Sequence, residues 1–248
     1  MSAPNSTNLQ DQEKHLAATT ALRWVCEGMT LGLGSGSTAA LFIRELGERV
    51  RAGLRIQAVA TSQASEALAR EVGIPLLAPR RGLRFDLTVD GADELDAQLR
   101  LIKGGGGALL REKVLATASD YLLIVADSSK AVAQLGCFPL PLEVVPFALP
   151  WVLDAVAALG GAPVVRADKL KAGELAKSDQ GNLLVDCHFE AINNPTELAI
   201  QLQRIPGVVE QGLFLGLARA AVVAQGGQAW VWRAGMEPVA AESFVALP

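Results

Sequence analysis

A short apolar strand runs into a glycine-rich turn and a helix in Thr30-Leu31-Gly32-Leu33-Gly34-Ser35-Gly36-Ser37-Thr38-Ala39. The strand is predicted over Thr30–Gly34. The helix that follows carries its apolar residues on one face, at Phe42, Ile43, Leu46 and Val50. The alternation continues with a strand at Ile56–Ala60 and a helix at Ser62–Val72. This β-α-β-α order predicts a mostly parallel sheet covered by helices.

The flanking segments extend the same pattern in both directions. Helical spacing of apolar residues predicts a helix over Asp11–Glu27, with Gly28 as its stop. Strands are predicted at Phe85–Asp90 and Tyr121–Ala126, with a helix at about Leu109–Ser119 between them. These strands are short and apolar, as expected of parallel strands buried on both faces.

The amino-acid composition changes after Gly136, where three prolines occur within Phe138–Pro146. We place a domain boundary there. A smaller α+β unit follows, predicted to contain these elements: strand Glu143–Phe147, helix Trp151–Leu159, strands around Val164 and at Leu183–Phe189, and a last helix. Asn194 as N-cap, Pro195 in the first turn and Glu197 three residues after the cap mark the start of that helix.

Two further strands are predicted near the C-terminus, at Ala220–Ala224 and Ala229–Trp232. They follow Gly216. Either sheet could receive them, because the sequence pattern alone does not distinguish the two.

Length and composition limit the classes of protein that fit. The 248 residues have room for one large domain or two modest ones, and a hydrophobic content of 50% excludes a disordered chain. The most apolar stretch, Val144–Val165, is broken by Pro146 and Pro150, so it does not predict a transmembrane helix. Met1–Gln12 is polar and has no basic residue, unlike a signal peptide. We therefore expect a soluble cytoplasmic protein.

Charge and metal-ligating residues exclude further classes. The net charge is -4, which argues against a nucleic-acid partner. Cys26, Cys137 and Cys187 are far apart, and His15 and His188 are the only histidines, so the sequence encodes neither a disulfide framework nor a zinc site. Any chemistry is expected to use carboxylates, lysines and backbone amides.

The glycine-rich turn is the first candidate site. Its glycines let backbone amides point at an anion, and the helix N-terminus favours negative charge, which indicates a phosphate site. A plain turn with a helix cap is the alternative. Gly34, Gly36 and Ala39 also satisfy the dinucleotide pattern G-x-G-x-x-A. The second strand ends without the acid that holds a ribose, however, and only Arg55 leaves a phosphorylated cofactor open.

An acidic segment, Asp90–Asp96, follows the predicted strand Phe85–Asp90 and so lies at the carboxyl edge of the sheet, where ligands bind in open α/β folds. Its acids occupy positions 1, 4, 5 and 7, which fits no EF-hand calcium loop. A solvated acidic turn is the remaining alternative.

Four successive glycines, Gly104–Gly107, follow Lys103 and precede a helix that carries Glu112 in its early turns. Such a run packs poorly, so its expected use is close approach of the backbone to a ligand. Its amides could hold an oxyanion, and Glu112 could project over the loop. The alternative for Glu112 is an exposed helix charge. At another strand end, Asp127–Lys130, Lys130 is placed to neutralise a phosphate, although a simple turn explains these residues equally well.

Together these segments resemble the ribose-5-phosphate isomerase A family, in order and in spacing. The resemblance rests on Gly32–Ala39, Thr61–Ala64, Asp90–Glu94, Ile102–Val114, Asp127–Lys130 and Phe138–Pro146. Ser35 stands where many members have Thr, and Gly107 lies where they have another small residue. Neither departure removes a group that the reaction needs.

The resemblance implies an α/β fold in which a Rossmann-like, mostly parallel sheet domain carries a smaller inserted ferredoxin-like α+β lobe. The corresponding divisions are 1–137 plus 216–248 for the catalytic domain and 138–215 for the lobe. It also implies a homodimer or a dimer of dimers, with no metal and no cofactor.

The implied reaction interconverts D-ribose 5-phosphate and D-ribulose 5-phosphate, a step of the pentose phosphate pathway, through an enediolate. By resemblance Glu112 is the base, Lys103 and the amides of Gly104, Gly105 and Gly106 stabilise the developing charge, and Asp90 and Asp93 hold sugar hydroxyls and assist ring opening. The other expected substrate contacts are Ser35, Gly36, Ser37, Thr38, Gly91, Ala92 and Lys130, and Lys14 is a further candidate from the N-terminal helix.

Two alternatives from other classes remain. A sugar-phosphate sensing module of related fold would keep the phosphate loop without needing the base. A coenzyme A transferase-like enzyme would use Glu112 as a nucleophile. The presence of both Glu112 and Lys103 counts against the sensing module, and no segment suggests an adenine site.

Overall fold

The computed structural model describes residues 6–168 and 171–243. Residues 1–5 of the polar N-terminal stretch lie outside the described residues, as do residues 169–170 and 244–248. The α-helices are α1 (Ser6–Ala21), α2 (Ser37–Arg51), α3 (Gln63–Glu71), α4 (Leu109–Thr117), α5 (Leu149–Ala158) and α6 (Pro195–Gln203). None of the helices in the described ranges is long and apolar enough to cross a membrane.

The strands form three sheets. They are β1 (Thr30–Leu33), β2 (Gln57–Ala60), β3 (Leu87–Asp90), β4 (Glu94–Leu95), β5 (Leu101–Ile102), β6 (Leu122–Asp127), β7 (Leu140–Val144), β8 (Ala162–Val165), β9 (Leu183–His188), β10 (Val208–Gln211), β11 (Leu213–Phe214), β12 (Ala218–Gln225), β13 (Gln228–Trp232) and β14 (Val239–Ala240).

The largest sheet has seven strands in the order β14-β13-β12-β6-β3-β1-β2. Its strands from β12 to β2 are parallel, and β13 and β14 add an antiparallel edge. This is the predicted Rossmann-like, mostly parallel sheet. The C-terminal strands, which the sequence left unassigned, belong to it.

The central strand β6 shows why the sequences of buried parallel strands are continuous apolar runs. Leu123 and Val125 pack on one face of the sheet, in the core built with α1 and α2, while Leu122 and Ile124 pack in a second core on the other face. Successive side chains of a strand point to opposite faces, so a strand covered on both sides needs apolar residues at every position.

The second sheet has four antiparallel strands in the order β10-β7-β9-β8. Chain order gives β7-α5-β8-β9-α6-β10, which is the β-α-β-β-α-β arrangement of ferredoxin-like folds. The predicted start of α6 is confirmed, since the Asn194 side chain accepts a hydrogen bond of 3.2 Å from the backbone N–H of Glu197. The exact division into domains at 137/138 and 215/216 stays a prediction.

The third sheet, β11-β5-β4, was not predicted. Its strands have only two residues each, too few to show a period. It links the two larger sheets. Its residues Leu101 and Phe214 share a core with Leu122 and Ile124 of the seven-stranded sheet. The N–H of Lys103 donates to Gly212 O at 2.9 Å, and the N–H of Gly212 donates to Pro141 O of the four-stranded sheet at 2.8 Å. Lys103 therefore occupies a fixed position between them.

Two predicted elements differ from the structure by three residues or more at their ends. The first α-helix ends at Ala21, and Gly28 lies instead in the turn before β1, where its N–H donates to Arg55 O at 2.8 Å. The strand predicted at Glu143–Phe147 is β7, which begins at Leu140 and ends at Val144. The ring of Pro146 fixes φ and removes a donor, so the chain leaves the strand and forms a short 3-10 helix over Pro146–Ala148.

Gly32 lies in β1 between β2 and β3, and a Cβ added there would lie 1.9 Å from Thr88 Oγ1. We expect Gly32→Ala to lower the free energy of unfolding by about 1 to 3 kcal/mol, because an added methyl group in a well-packed core displaces the neighbouring side chains. Urea denaturation measures this. Gly91→Ala is the control, since its Cβ would meet only Ser35 O at 3.7 Å and Val125 O at 3.9 Å. Equal stability of the two variants would contradict the expected clash.

Candidate active site

A cavity of about 170 Å³ lies at the sheet edge where the neighbouring strands β3, β1 and β6 end. The predicted site residues that line it are Ser35, Gly36, Ser37, Thr38, Gly91, Ala92, Asp93, Lys103, Gly104, Gly106, Glu112 and Lys130. Lys14 also lines it. An adjoining cleft of about 630 Å³ shares Ser35, Gly36, Ser37 and Gly106 with the cavity.

Lys103 and Glu112 line this cavity, and together with Asp90 they form a buried acid–lysine cluster. The Lys103 Nζ atom lies 3.0 Å from Asp90 Oδ2 and 3.3 Å from Glu112 Oε2. Asp90 is 1% exposed, Lys103 is 3% exposed and Glu112 is 4% exposed. Lys103 also donates a 2.6 Å hydrogen bond to Gly91 O. The exposed helix charge considered for Glu112 is therefore wrong.

The two carboxyl groups of the acid–lysine cluster have different partners. Asp90 Oδ1 accepts from the backbone N–H groups of Ser35 at 3.0 Å and of Gly91 at 2.8 Å, in addition to its pairing with Lys103. In the described part of the chain, only Lys103 pairs with the Glu112 carboxyl. Donors to a carboxylate favour its charged form, so the cluster favours ionised Asp90 over ionised Glu112.

The electrostatics follow from this arrangement. Burial and the nearby charge of Asp90 raise the pKa of Glu112 to about 8, against the opposing effect of Lys103. Burial also raises the pKa of Asp90, again opposed by Lys103. Burial alone would lower the pKa of Lys103, but the charges of Asp90 and Glu112 outweigh it and raise that pKa above its ordinary value. A carboxyl group with a pKa near neutrality is suited to act as a general base.

The four acids of the segment Asp90–Asp96 do separate work. Asp93 Oδ2 accepts from the N–H of Gly105 at 2.7 Å, Glu94 accepts from the N–H of Gly136 at 2.8 Å, and Asp96 pairs with Arg100 at 2.6 Å. A solvated acidic turn is therefore wrong. Among residues 6–168 and 171–243, no group of three or more His, Cys, Asp or Glu residues is placed to hold a metal ion.

The glycine loop, Gly104–Gly107, curls around the cavity and is closed by a hydrogen bond of 2.9 Å from the Gly107 N–H to Gly104 O. Gly104 and Gly107 have φ of 105° and 84°, in the left-handed region that favours glycine. Gly105 is not a cavity residue, since its N–H is committed to Asp93. Gly106 faces the cavity, and no acceptor within the described ranges pairs with its N–H.

The glycine-rich turn packs directly against the acid–lysine cluster. A Cβ added to Gly34 would lie 2.5 Å from the Asp90 Cα atom, so only glycine fits there. The Ser35 hydroxyl is hydrogen-bonded to Thr61 Oγ1 at 2.6 Å. The hydroxyls of Ser37 and Thr38, at the start of α2, have no hydrogen-bond partner among residues 6–168 and 171–243. Arg55 precedes β2, away from this edge, and pairs with Glu27 at 2.5 Å, so it supports no cofactor phosphate here.

Lys14 and Lys130 provide positive charge at the rim. Glu13 ties α1 to the turn after β6, because its carboxylate accepts from the N–H of Ser128 at 3.0 Å and from the Ser128 hydroxyl at 2.7 Å. This contact brings Lys14, the neighbour of Glu13, to the same rim as Lys130. Glu13 and Ser128 are 115 residues apart in sequence, so no local sequence pattern could predict their contact.

Sequence reasoning missed several residues of the site. Gln10 and Asp127 line the cavity, and Thr61 and Arg166 hold the loops that form its walls. Asp127 had been interpreted only as part of a strand end. Asp90, in contrast, is predicted but does not line the cavity; it is buried and pairs with Lys103, which does line it. A larger groove of about 1110 Å³ lies beside α4 and contains none of the predicted site residues.

The site combines a buried base candidate, a paired lysine, the Gly106 amide and a cationic rim. It lies at the carboxyl edge of a Rossmann-like sheet, and these features together define a class of protein. It is the class of enzymes that transfer protons on a small polar substrate.

Comparisons with known proteins identify the family. Residues 57–228 match the family model described as ribose 5-phosphate isomerase A (phosphoriboisomerase A). Ribose-5-phosphate isomerase A of Parvibaculum lavamentivorans is 50% identical over 219 residues, covering 86% of this chain and 94% of that protein. The chain belongs to the ribose 5-phosphate isomerase A family and is an aldose–ketose isomerase.

Solved structures of the family have the same fold. Ribose 5-phosphate isomerase A of Methanocaldococcus jannaschii superposes with a TM-score of 0.85 at 37% identity, covering 92% of this chain and 100% of that one. A D-ribose-5-phosphate isomerase in complex with phospho-erythronic acid superposes with a TM-score of 0.87 at 34% identity, covering 90% and 99%. The sensing-module alternative is not favoured.

The raised pKa of Glu112 predicts a pH-dependent stability. Between about pH 4.5 and 8 the unfolded chain releases the Glu112 proton while the folded protein keeps it, so stability falls as pH rises through this window. The contribution of this group is at most about 1.4 kcal/mol per pH unit. We expect Glu112→Gln to flatten the decline in unfolding free energy measured with urea from pH 5 to 8.

Glu66→Gln, which removes an exposed carboxylate on α3, is the control and should keep the wild-type slope. A Glu112→Gln protein whose stability declines as steeply as that of the wild type would show that Glu112 is already ionised in the folded state at low pH.

Proposed function

We propose that Glu112 is the general base in the interconversion of D-ribose 5-phosphate and D-ribulose 5-phosphate. The observation that carries the proposal is the buried carboxyl of Glu112 on the cavity wall, 3.3 Å from Lys103 Nζ and with a pKa raised to about 8. A base near neutrality can both accept and return a proton, which an isomerisation in both directions needs.

One base is enough for the proton transfers to and from carbon in this reaction. Glu112 removes the proton from C2 of the open-chain aldose, and the electron pair moves to the carbonyl oxygen at C1 to give an enediolate. The proton of the C2 hydroxyl passes to the C1 oxygen, Glu112 returns its proton to C1, and a ketone forms at C2. No proton is gained or lost overall, and no electron leaves the substrate.

Lys103 and the amide of Gly106 stabilise the enediolate oxygens. Lys103 stays charged because Asp90 holds it from behind, and the Gly106 N–H is free to donate. Donors fixed before the reaction stabilise developing charge more strongly than water that must reorient. This assignment makes Asp90 a positioning residue for Lys103, rather than a direct partner of the sugar hydroxyls.

Asp93 is the carboxylate of the segment that lines the cavity, and it is the proposed partner of the sugar hydroxyls and of ring opening. Gly91 and Ala92 complete the wall beside it. Ser35 and Gly36 shape the opposite wall, the hydroxyl of Ser35 being held by Thr61.

The phosphate binds at the cationic rim in this proposal. Lys14 and Lys130 supply charge, and Ser37 and Thr38 supply hydroxyls and amides at the N-terminus of α2, where the helix favours an anion. A related isomerase was solved with phospho-erythronic acid, a ligand that combines a phosphate with a carboxylate, and the proposed site offers partners for both groups.

The proposal includes neither metal nor redox cofactor. Lys103 supplies the positive charge that a metal would provide at the C1 and C2 oxygens, and the reaction is redox-neutral within the substrate. The free cysteines Cys26, Cys137 and Cys187 are compatible with a reducing cytoplasm, where we place the protein.

We expect a homodimer, or a dimer of dimers, as the family resemblance implies. Sedimentation equilibrium should then give twice or four times the chain mass of 26.0 kDa. A species of single-chain mass at assay concentration would contradict this expectation without affecting the assignment of the base.

Glu112→Gln should reduce turnover of D-ribose 5-phosphate by about 100-fold or more, because general-base catalysis contributes about that much. The variant keeps the size of the side chain and replaces a carboxyl that is mostly protonated at neutral pH with a neutral amide, so the fold should be retained. Turnover is measured by the appearance of ribulose 5-phosphate in excess EDTA, with circular dichroism as the check on folding.

Glu66→Gln serves again as the control and should keep wild-type turnover. Near-normal activity in folded Glu112→Gln would overturn the assignment of the base. Loss of wild-type activity in EDTA, restored by a divalent metal, would overturn the metal-free mechanism.

A further inference from the structure

Arg166 follows β8 of the four-stranded sheet and contacts the glycine loop, and it is not among the residues that line the cavity. Its Nη1 group donates to the carbonyl oxygens of Gly105 at 3.1 Å and Gly104 at 3.3 Å. Its Nε group donates to Asp186 Oδ2 at 2.8 Å, and its Nη2 group pairs with the other oxygen of Asp186. The side chains of Arg166 and Asp186 are 14% and 22% exposed. One guanidinium thus joins a carboxylate on β9 to two successive carbonyls of the loop.

The contact fixes the direction of an amide. In a planar trans peptide the carbonyl and the N–H of the next residue point to opposite sides. Holding Gly105 O outward therefore turns the N–H of Gly106 inward, where Gly106 lines the cavity. The preceding peptide is held at both ends, its carbonyl by Arg166 and its N–H by Asp93 at 2.7 Å.

The glycine loop needs such an external contact. Glycines have the widest choice of backbone conformations, so a run of four cannot hold one peptide orientation by itself. The guanidinium is a planar fork with several donors, which lets one edge pair with Asp186 while another nitrogen reaches the carbonyls. A lysine at this position would not hold both partners in one fixed geometry.

We infer that Arg166 is a positioning residue of the isomerase, which orients the Gly106 amide toward the enediolate through its hydrogen bonds to Gly104 O and Gly105 O. Asp186 is its partner, since it holds the guanidinium in the plane that reaches both carbonyls. The inference rests on the proposed function, because it gives the Gly106 amide a role in stabilising the reaction intermediate. Arg166 itself does not touch the substrate.

The test is the kinetics of Arg166→Met, which keeps an apolar stem and removes all five donors. We expect kcat to fall by about 10- to 100-fold, the usual effect of losing or misplacing one fixed donor to a developing oxyanion. KM should change by less than about threefold, because the amide acts on the intermediate more than on the bound substrate. Inhibition by phospho-erythronic acid should weaken by a factor close to the fall in kcat/KM.

Arg84→Met is the matched control, since it removes an exposed pairing with Asp120, 2.6 Å long, that touches no part of the cavity. It should keep wild-type kcat. Asp186→Asn is the second variant and stays informative if Arg166→Met does not fold. It keeps the shape of the partner and weakens its hold on Arg166, so a smaller fall in kcat, about three- to tenfold, is expected.

A merely structural role predicts a different pattern, in which Arg166→Met and Asp186→Asn lower the melting temperature but keep wild-type kcat and wild-type inhibition by phospho-erythronic acid. That result would overturn the inference. It is separate from failure of the proposed function, which would appear as activity retained in Glu112→Gln. Recovery of kcat in Arg166→Ala on adding guanidinium, with no recovery in Glu112→Gln, would support the positioning role directly.

Discussion

The ion pair between Lys103 and Asp90 is the interaction on which the site depends. A lysine buried to this degree would lose its charge without a partner, since desolvation favours the neutral amine. Asp90, held by two backbone amides as well, keeps the lysine charged and fixes its position. The second carboxyl, Glu112, pairs with the same Lys103, whose positive charge Asp90 already neutralises. Its pKa rises to about 8, because one buried lysine faces two buried carboxyl groups, and this is the property that the proposed base requires.

Much of the surrounding structure serves to bring these groups together. Gly34 lets β1 and the turn after it approach Asp90, at a distance that no other residue permits. The short strand β5 places Lys103, and α4 begins only after the glycine loop has turned the chain back over it. The site lies at the carboxyl edge of the parallel sheet because that edge is where strands from distant segments end side by side. Sheet topology thus converts four separate sequence segments into one cavity.

Local patterns predicted the elements that depend on local physics. Helical periodicity gave α2 and α3, the cap at Asn194 gave the start of α6, and strand ends placed Asp90 and Lys130 at one edge. Contacts between distant residues had no such signal. Glu94 accepts from Gly136, which is 42 residues away, and Arg166 reaches Gly104 across 62 residues. The strands β4, β5 and β11 are too short to carry a period, so the sheet that joins the two larger sheets could not be predicted.

The glycine loop is held by residues from both larger sheets. Asp93, which follows β3 of the parallel sheet, holds the amide of Gly105, and Arg166, which follows β8 of the antiparallel sheet, holds the carbonyls of Gly104 and Gly105. The two sheets therefore grip the same peptides from opposite sides. A relative shift of about 1 Å between them is enough to misalign a donor and slow the chemistry by about two orders of magnitude. The backbone link through Gly212, from Lys103 to Pro141, opposes such a shift at the point where the lysine leaves β5.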